Sequence, residues 1–118
     1  MGISIDQNAV EQAILINFSG DREIFFDTVA GFLGTLPELC REFEAAYSQQ
    51  NCGNLVAIAH RLKGETGLFH IPAVSERLAG IEKMSMRGCA PSSEVFAQAK
   101  SSLEKLENEL GMLLRNTK

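Results

Sequence analysis

His60 is followed by Lys63 at i+3, Gly64 at i+4 and Gly67 at i+7, within a segment whose remaining residues have the spacing of an amphipathic helix. Glycine in a helix interior costs about 1 kcal/mol relative to alanine, so two of them beside one histidine call for an explanation. A helix turns about 100° per residue, and with Leu55 taken as zero, Ala59, Leu62, Thr66 and Phe69 all fall within about 40° of it. His60 lies near 140°, Gly67 near 120°, Gly64 near 180° and Lys63 near 80°, on roughly the same scale. The histidine therefore faces away from the apolar stripe, and its neighbours one and two turns on carry no side chains. The spacing predicts an accessible imidazole in a clearing with an ammonium at its edge.

Such a group suits nucleophilic capture of a phosphoryl group. Histidine forms covalent intermediates, and an ordinary pKa near about 6.5 leaves much of the ring neutral at physiological pH. Positive charge on Arg61 and Lys63 is expected to disfavour the imidazolium. Once the ring carries an anionic group, Lys63 can stabilise it as a compact point charge. The plainer alternative is a solvated surface histidine, with Lys63 an ordinary exposed charge and Gly67 a point of close helix packing.

The run Ala59-His60-Arg61-Leu62-Lys63-Gly64, with Gly67 after it, resembles the signature of histidine-containing phosphotransfer (HPt) domains. Asp21, the stretch Phe32-Leu33-Gly34-Thr35-Leu36-Pro37-Glu38-Leu39, and Leu78 to Glu82 are also similar to that family, so the likeness spans residues 20 to 115. The chain departs from the pattern at His70, where the family commonly has glycine. The resemblance implies a four-helix bundle that moves phosphoryl groups between receiver-domain aspartates and histidine. Carried over by residue, His60 is the phosphoacceptor, Lys63 the charge partner, and Gly64 and Gly67 the clearing; Arg61 is a supporting residue on the ground of its charge beside the histidine alone. It further implies Nε2 as the attacking atom. The partners expected are response-regulator receiver domains and a hybrid sensor kinase. Any Mg²⁺ would belong to the receiver, and no cofactor is expected on this chain.

The 118 residues suit one domain, spanning 1–118. Eleven basic and fifteen acidic residues give a net charge of -4 without a basic stripe, which argues against nucleic acid. Cys40, Cys52 and Cys89 are an odd count with neither a CxxC pair nor zinc spacing, so free thiols are expected rather than disulfides or a metal knuckle. His70 lies too far around the helix to share a metal with His60 and suits a helix C-terminus, where positive charge complements the dipole. No secretory segment, membrane span or myristoylation signal is read in the chain, so a cytoplasmic, monomeric protein is expected. No P-loop or protein-kinase motif is present, and neither ATP binding nor self-phosphorylation is expected.

The periodicity predicts an all-α fold: an antiparallel up-down-up-down four-helix bundle over about 21–115, preceded by a short helix over about 7–17. Ile5 before Asp6, with Val10 beyond, has the form of a hydrophobic staple around an N-cap. From Asp21 to Ser48 the seam Phe25, Val29, Phe32, Leu36, Leu39, Phe43 and Ala46 keeps a heptad-like phase across Pro37. One kinked helix is expected there, with a break into two as the alternative. The spacing then predicts a loop at Asn51-Cys52-Gly53, a site helix from about Asn54 to Phe69, and a helix beginning near Pro72 with Val74, Leu78, Ile81 and Met84 buried. A last helix over about 92–115 buries Phe96, Ala99, Leu103, Leu106, Leu110 and Leu113.

Docking a receiver needs an apolar rim near the histidine. Val56, one turn before His60, is the first candidate, and Phe26 and Leu33 on the preceding helix are weaker ones that the N-terminal helix could cover. The rival function is a helical adaptor that binds receivers or other signalling domains without accepting phosphate. An enzyme with its own small-molecule pocket has little support in a sequence of apolar heptads.

Overall fold

The computed structural model describes residues 7–69, 71–88 and 90–116. They form five helices and no strand: α1 (Gln7–Asn17), α2 (Arg22–Ser48), α3 (Cys52–Gly67), α4 (Pro72–Met86) and α5 (Ser93–Asn116). α2 packs on α3 and α5, and α4 packs on the same two helices, closing a ring of four. Short connections and cross-helix pairs run these neighbours antiparallel: Glu44 with Lys100, Phe43 with Phe96, and Arg77 with Ser102. Among the described residues, no helix is long and apolar enough to cross a membrane.

Each seam position expected in α2 is buried, from Phe25 through Ala46. α2 is one continuous helix through Pro37, so the alternative of a break does not occur. A proline there costs about 3 kcal/mol locally. Leu36 and Leu39 on either side are fully buried in the core, and their burial offsets that cost. Cross-helix rings clamp the bundle at both ends: Phe69 against Phe25 and Phe32 at one, and Phe96 against Phe43 and Tyr47 at the other.

Side-chain oxygens set three helix starts. Asp21 accepts from the Ile24 N–H at 3.0 Å, Asn51 from the Asn54 N–H at 3.0 Å and Ser92 from the Val95 N–H at 3.2 Å, each such cap being worth about 1 kcal/mol. Because Asn51 is a cap, α3 begins at Cys52 instead of Asn54, and it ends at Gly67 rather than Phe69. The expected break after α1 is present, with Ser19 and Gly20 both at positive φ and the Gly20 N–H donating back to the Ile14 carbonyl. Ile5, Asp6, His70 and Cys89 lie outside the described residues, so the staple around Asp6 and the helix-end role of His70 are not placed.

Val74, Leu78 and Ile81 are buried as expected in α4. Met84 is only half-buried and Ser85 is buried in its place, a shift of one position toward the next residue of the repeat. In α5 the seam holds from Phe96 to Leu110, with Leu113 partly buried at the end.

Candidate functional site

The predicted stripe of α3 is inside: Leu55, Ala59, Leu62, Thr66 and, just beyond the helix, Phe69 are all buried. Ile58 joins them. Burying that stripe turns His60 outward at the middle of the helix, where its side chain keeps 70% of its accessible surface. Gly64 and Gly67 are exposed on the same side, and a Cβ added at either would meet nothing within 4 Å. The clearing is therefore open space, and no neighbouring helix requires either glycine.

The most extensive helix contact in the bundle is between α3 and α4, and it brings Glu82 alongside the histidine. One carboxylate oxygen, Oε2, lies 2.9 Å from His60 Nδ1, and the other, Oε1, accepts from Lys63 Nζ at 2.7 Å. An ionised carboxylate can only accept, so Nδ1 is the donor in this pair, and in the neutral ring that assigns the lone pair to Nε2. Glu82 is itself mostly covered, with 13% of its side chain exposed, and Lys63 keeps 34%. The hydrogen bond from Lys63, ahead of the one from His60, holds the Glu82 carboxyl below its ordinary value of 4.5 despite the opposing effect of burial. The carboxylate is thus ionised at neutral pH and fixed from both sides.

This bears against the expectation that positive charge on Arg61 and Lys63 disfavours the imidazolium. The nearest charge to the imidazole is negative, and Lys63 is neutralised through the same carboxylate. Arg61 turns the other way, its Nε donating to Glu65 Oε2 at 3.0 Å. It lines a groove between α2 and α3 with Thr28, Gly31, Thr35, Glu65 and Leu68.

Of the residues considered for docking, Val56 is half-buried on the His60 and Lys63 side of α3. Phe26 and Leu33 are not brought to that face. They pack half-buried against the core, on the flank of α2 from which Glu44 reaches Lys100 of α5, about 170° around the helix from Thr28, Gly31 and Thr35. Exposed apolar side chains on this flank are Leu68, one of the groove's walls, and Ile24, one turn before Thr28 on the same stripe. α1 meets this end of the molecule through Asn17, whose Nδ2 donates to the Leu68 carbonyl at 3.1 Å.

Glu82 was not picked out from the sequence as a site residue. It closes the stretch Leu78 to Glu82 that resembles the family, but its place one turn after Leu78 on a helix antiparallel to α3 becomes informative only when the register between the two helices is known.

A family model described as the Hpt domain matches residues 27–114, which takes in α3, α4 and all but the end of α5. No curated protein and no solved structure gives a significant match.

Proposed function

Since the chain belongs to the Hpt domain family, whose members carry out histidine phosphotransfer in phosphorelays and interact with receiver domains, we propose that His60 is its phosphoacceptor. It takes a phosphoryl group from the aspartyl phosphate of one receiver and passes it to the carboxylate of another. The observation that carries this is the combination of an outward imidazole, 70% exposed, whose Nδ1 is occupied by Glu82, with the bare positions Gly64 and Gly67 beside it. Nε2 is thereby left as the free nucleophile.

In the forward step the Nε2 lone pair forms the N–P bond while the P–O bond to the receiver's aspartate breaks, its electron pair returning to that carboxylate. The reverse step delivers the phosphoryl group to a second carboxylate in the same way. The chain contributes a positioned nucleophile. Lys63, one turn from His60, is close enough to share its charge between Glu82 and the incoming phosphoryl oxygens. Any Mg²⁺ is held by the receiver. Val56 on one side and the strip from Gly64 to Leu68 on the other form the rim on which the receiver rests, with Ile24 beyond. A small, quickly released interface of this kind fits a carrier that must serve more than one partner.

The test is a panel of purified receivers, each charged with acetyl phosphate and mixed with this chain. Acid-labile label should appear on His60 and vanish in His60→Gln with helicity unchanged. Binding without any label would instead identify a helical adaptor.

A further inference from the structure

Two cations neighbour His60 on α3, and they are held unequally. Lys63 is bonded to Glu82, whose side chain is only 13% exposed, and could not leave without stranding that carboxylate. Arg61 donates through Nε to Glu65 Oε2 at 3.0 Å, an i,i+4 pair along one helix with 57% and 33% of the two side chains exposed. Exposed pairs of this kind hold weakly, and the bond uses one of the guanidinium's several donors.

Adjacent residues on a helix do not ordinarily face each other. Gly64 changes that here, because it is three residues from Arg61 and four from His60 and so neighbours both. On the scale that places His60 near 140°, Arg61 falls at roughly 240°, with Gly64 near 180° between them. A Cβ at residue 64 would meet nothing within 4 Å, so the surface between guanidinium and imidazole is bare. The long arginine side chain can lie across it, whereas a side chain at residue 64 would stand in the way.

We infer that Arg61 is a phosphate-binding residue held in reserve: once His60 is phosphorylated, its guanidinium leaves Glu65, crosses over Gly64 and pairs with the phosphoryl oxygens on Nε2. This rests on the proposal that His60 carries phosphate. A phosphoryl group holds close to two negative charges at neutral pH against one on Glu65, and it accepts the guanidinium fork at two oxygens. Only hydrogen bonds are exchanged, and no proton moves with the arginine. The exchange also alters the seam between α2 and α3. Glu65 is left unpaired in the groove it walls with Thr28, Gly31 and Leu68. Arg61 withdraws as well from an adjoining groove of about 450 Å³ that it shares with Glu42, Gln49 and Ala57. The loaded chain therefore presents a more acidic seam than the empty one, a difference in charge that can distinguish partners.

The experiment uses potassium phosphoramidate as phosphoryl donor to the full chain, so that no cognate receiver is needed. Transfer to Nε2 breaks the donor's P–N bond and releases ammonia, and the partition of phosphate between donor and chain is read by ³¹P NMR at fixed ammonium concentration, with His60→Gln subtracting label on other side chains. Arg61→Ala should lower that partition about threefold, and Glu65→Gln, which frees Arg61 in advance, should raise it about threefold, the scale of one exposed charge pair. In the Arg61→Ala background the gain from Glu65→Gln should disappear. The ¹⁵N resonance of Arg61 Nε should also move when wild type is phosphorylated, and should not move in His60→Gln. An unchanged partition in Arg61→Ala, an equal gain from Glu65→Gln with and without Arg61, or a stationary Nε resonance would overturn the inference while leaving the carrier proposal in place. Absence of receiver-derived label on His60 would overturn both.

Discussion

Gly64→Ala separates stability from function because the structure sets the two effects against each other. A methyl at residue 64 meets no atom within 4 Å, so the isolated chain has no steric reason to resist it. Gly64 lies inside α3, and replacing an interior helical glycine by alanine is worth about 1 kcal/mol. For a domain of this size that corresponds to a rise of about 4 °C in the thermal midpoint. The same methyl would stand one turn from His60, at a Cβ separation of about 5–6 Å, where on the proposed function the receiver's aspartyl phosphate comes down. In-line attack tolerates little displacement, and an error of about 1 Å can cost on the order of a hundredfold in rate. Thermal unfolding followed by circular dichroism, together with rapid-quench transfer from a charged receiver, should therefore show a more stable protein that captures phosphate at least about tenfold more slowly. Gly80→Ala is the control. It is also helical, exposed and open to a Cβ, and should gain similar stability without loss of transfer. A stabilised Gly64→Ala that transfers at the wild-type rate would refute the idea of a clearing, and a destabilised one would mean that the glycine serves the fold.

The Glu82 carboxyl, held below its ordinary value of 4.5 mainly by Lys63, contributes stability that is fully present above that value and is lost as pH falls through the lower folded-state value. Acid titration of the unfolding free energy should show this loss in wild type and a flatter profile in Glu82→Gln. The Cys40 thiol is pushed from 9.0 up to about 11 by burial, with Glu107, Glu44 and Glu104 adding to the effect. Iodoacetamide should accordingly modify Cys40 slowly in the folded protein and rapidly in denaturant, because the thiolate is the nucleophile. The native state retains this proton longer than the unfolded chain, so its contribution to stability should fall as pH rises above 9.0 toward 11.

Features that repeat along a single helix were readable from the sequence. The α2 seam, the stripe of α3 and the outward angle of His60 follow from a period near 3.6 residues, and the structure buries or exposes those positions accordingly. Helix ends were less readable, because an Asn at residue 51 serves equally as a loop residue or an N-cap until its Oδ1 is seen to take the Asn54 N–H. Least legible were relations between helices. The pairing of Glu82 with both His60 and Lys63 depends on how α3 and α4 slide past one another, and composition does not record that. Phe26 and Leu33 show the same limit. Both are apolar and near the expected face, yet the side of α2 they occupy turns toward α5 once the bundle closes.

The two aromatic clamps have a mechanical consequence for the chemistry between them. Phe69 with Phe25 and Phe32 ties the chain just past α3 to α2, Phe96 with Phe43 and Tyr47 ties α5 to α2 at the far end, and between them the stripe of α3 is buried from Leu55 to Thr66. The backbone beneath His60 should therefore exchange its amide protons only as the bundle opens, although the ring above it is exposed to solvent. On the proposed function, a nucleophile reached by successive visitors is thus mounted on a helix held along its whole buried stripe, and adaptation to each visitor falls to the visitor.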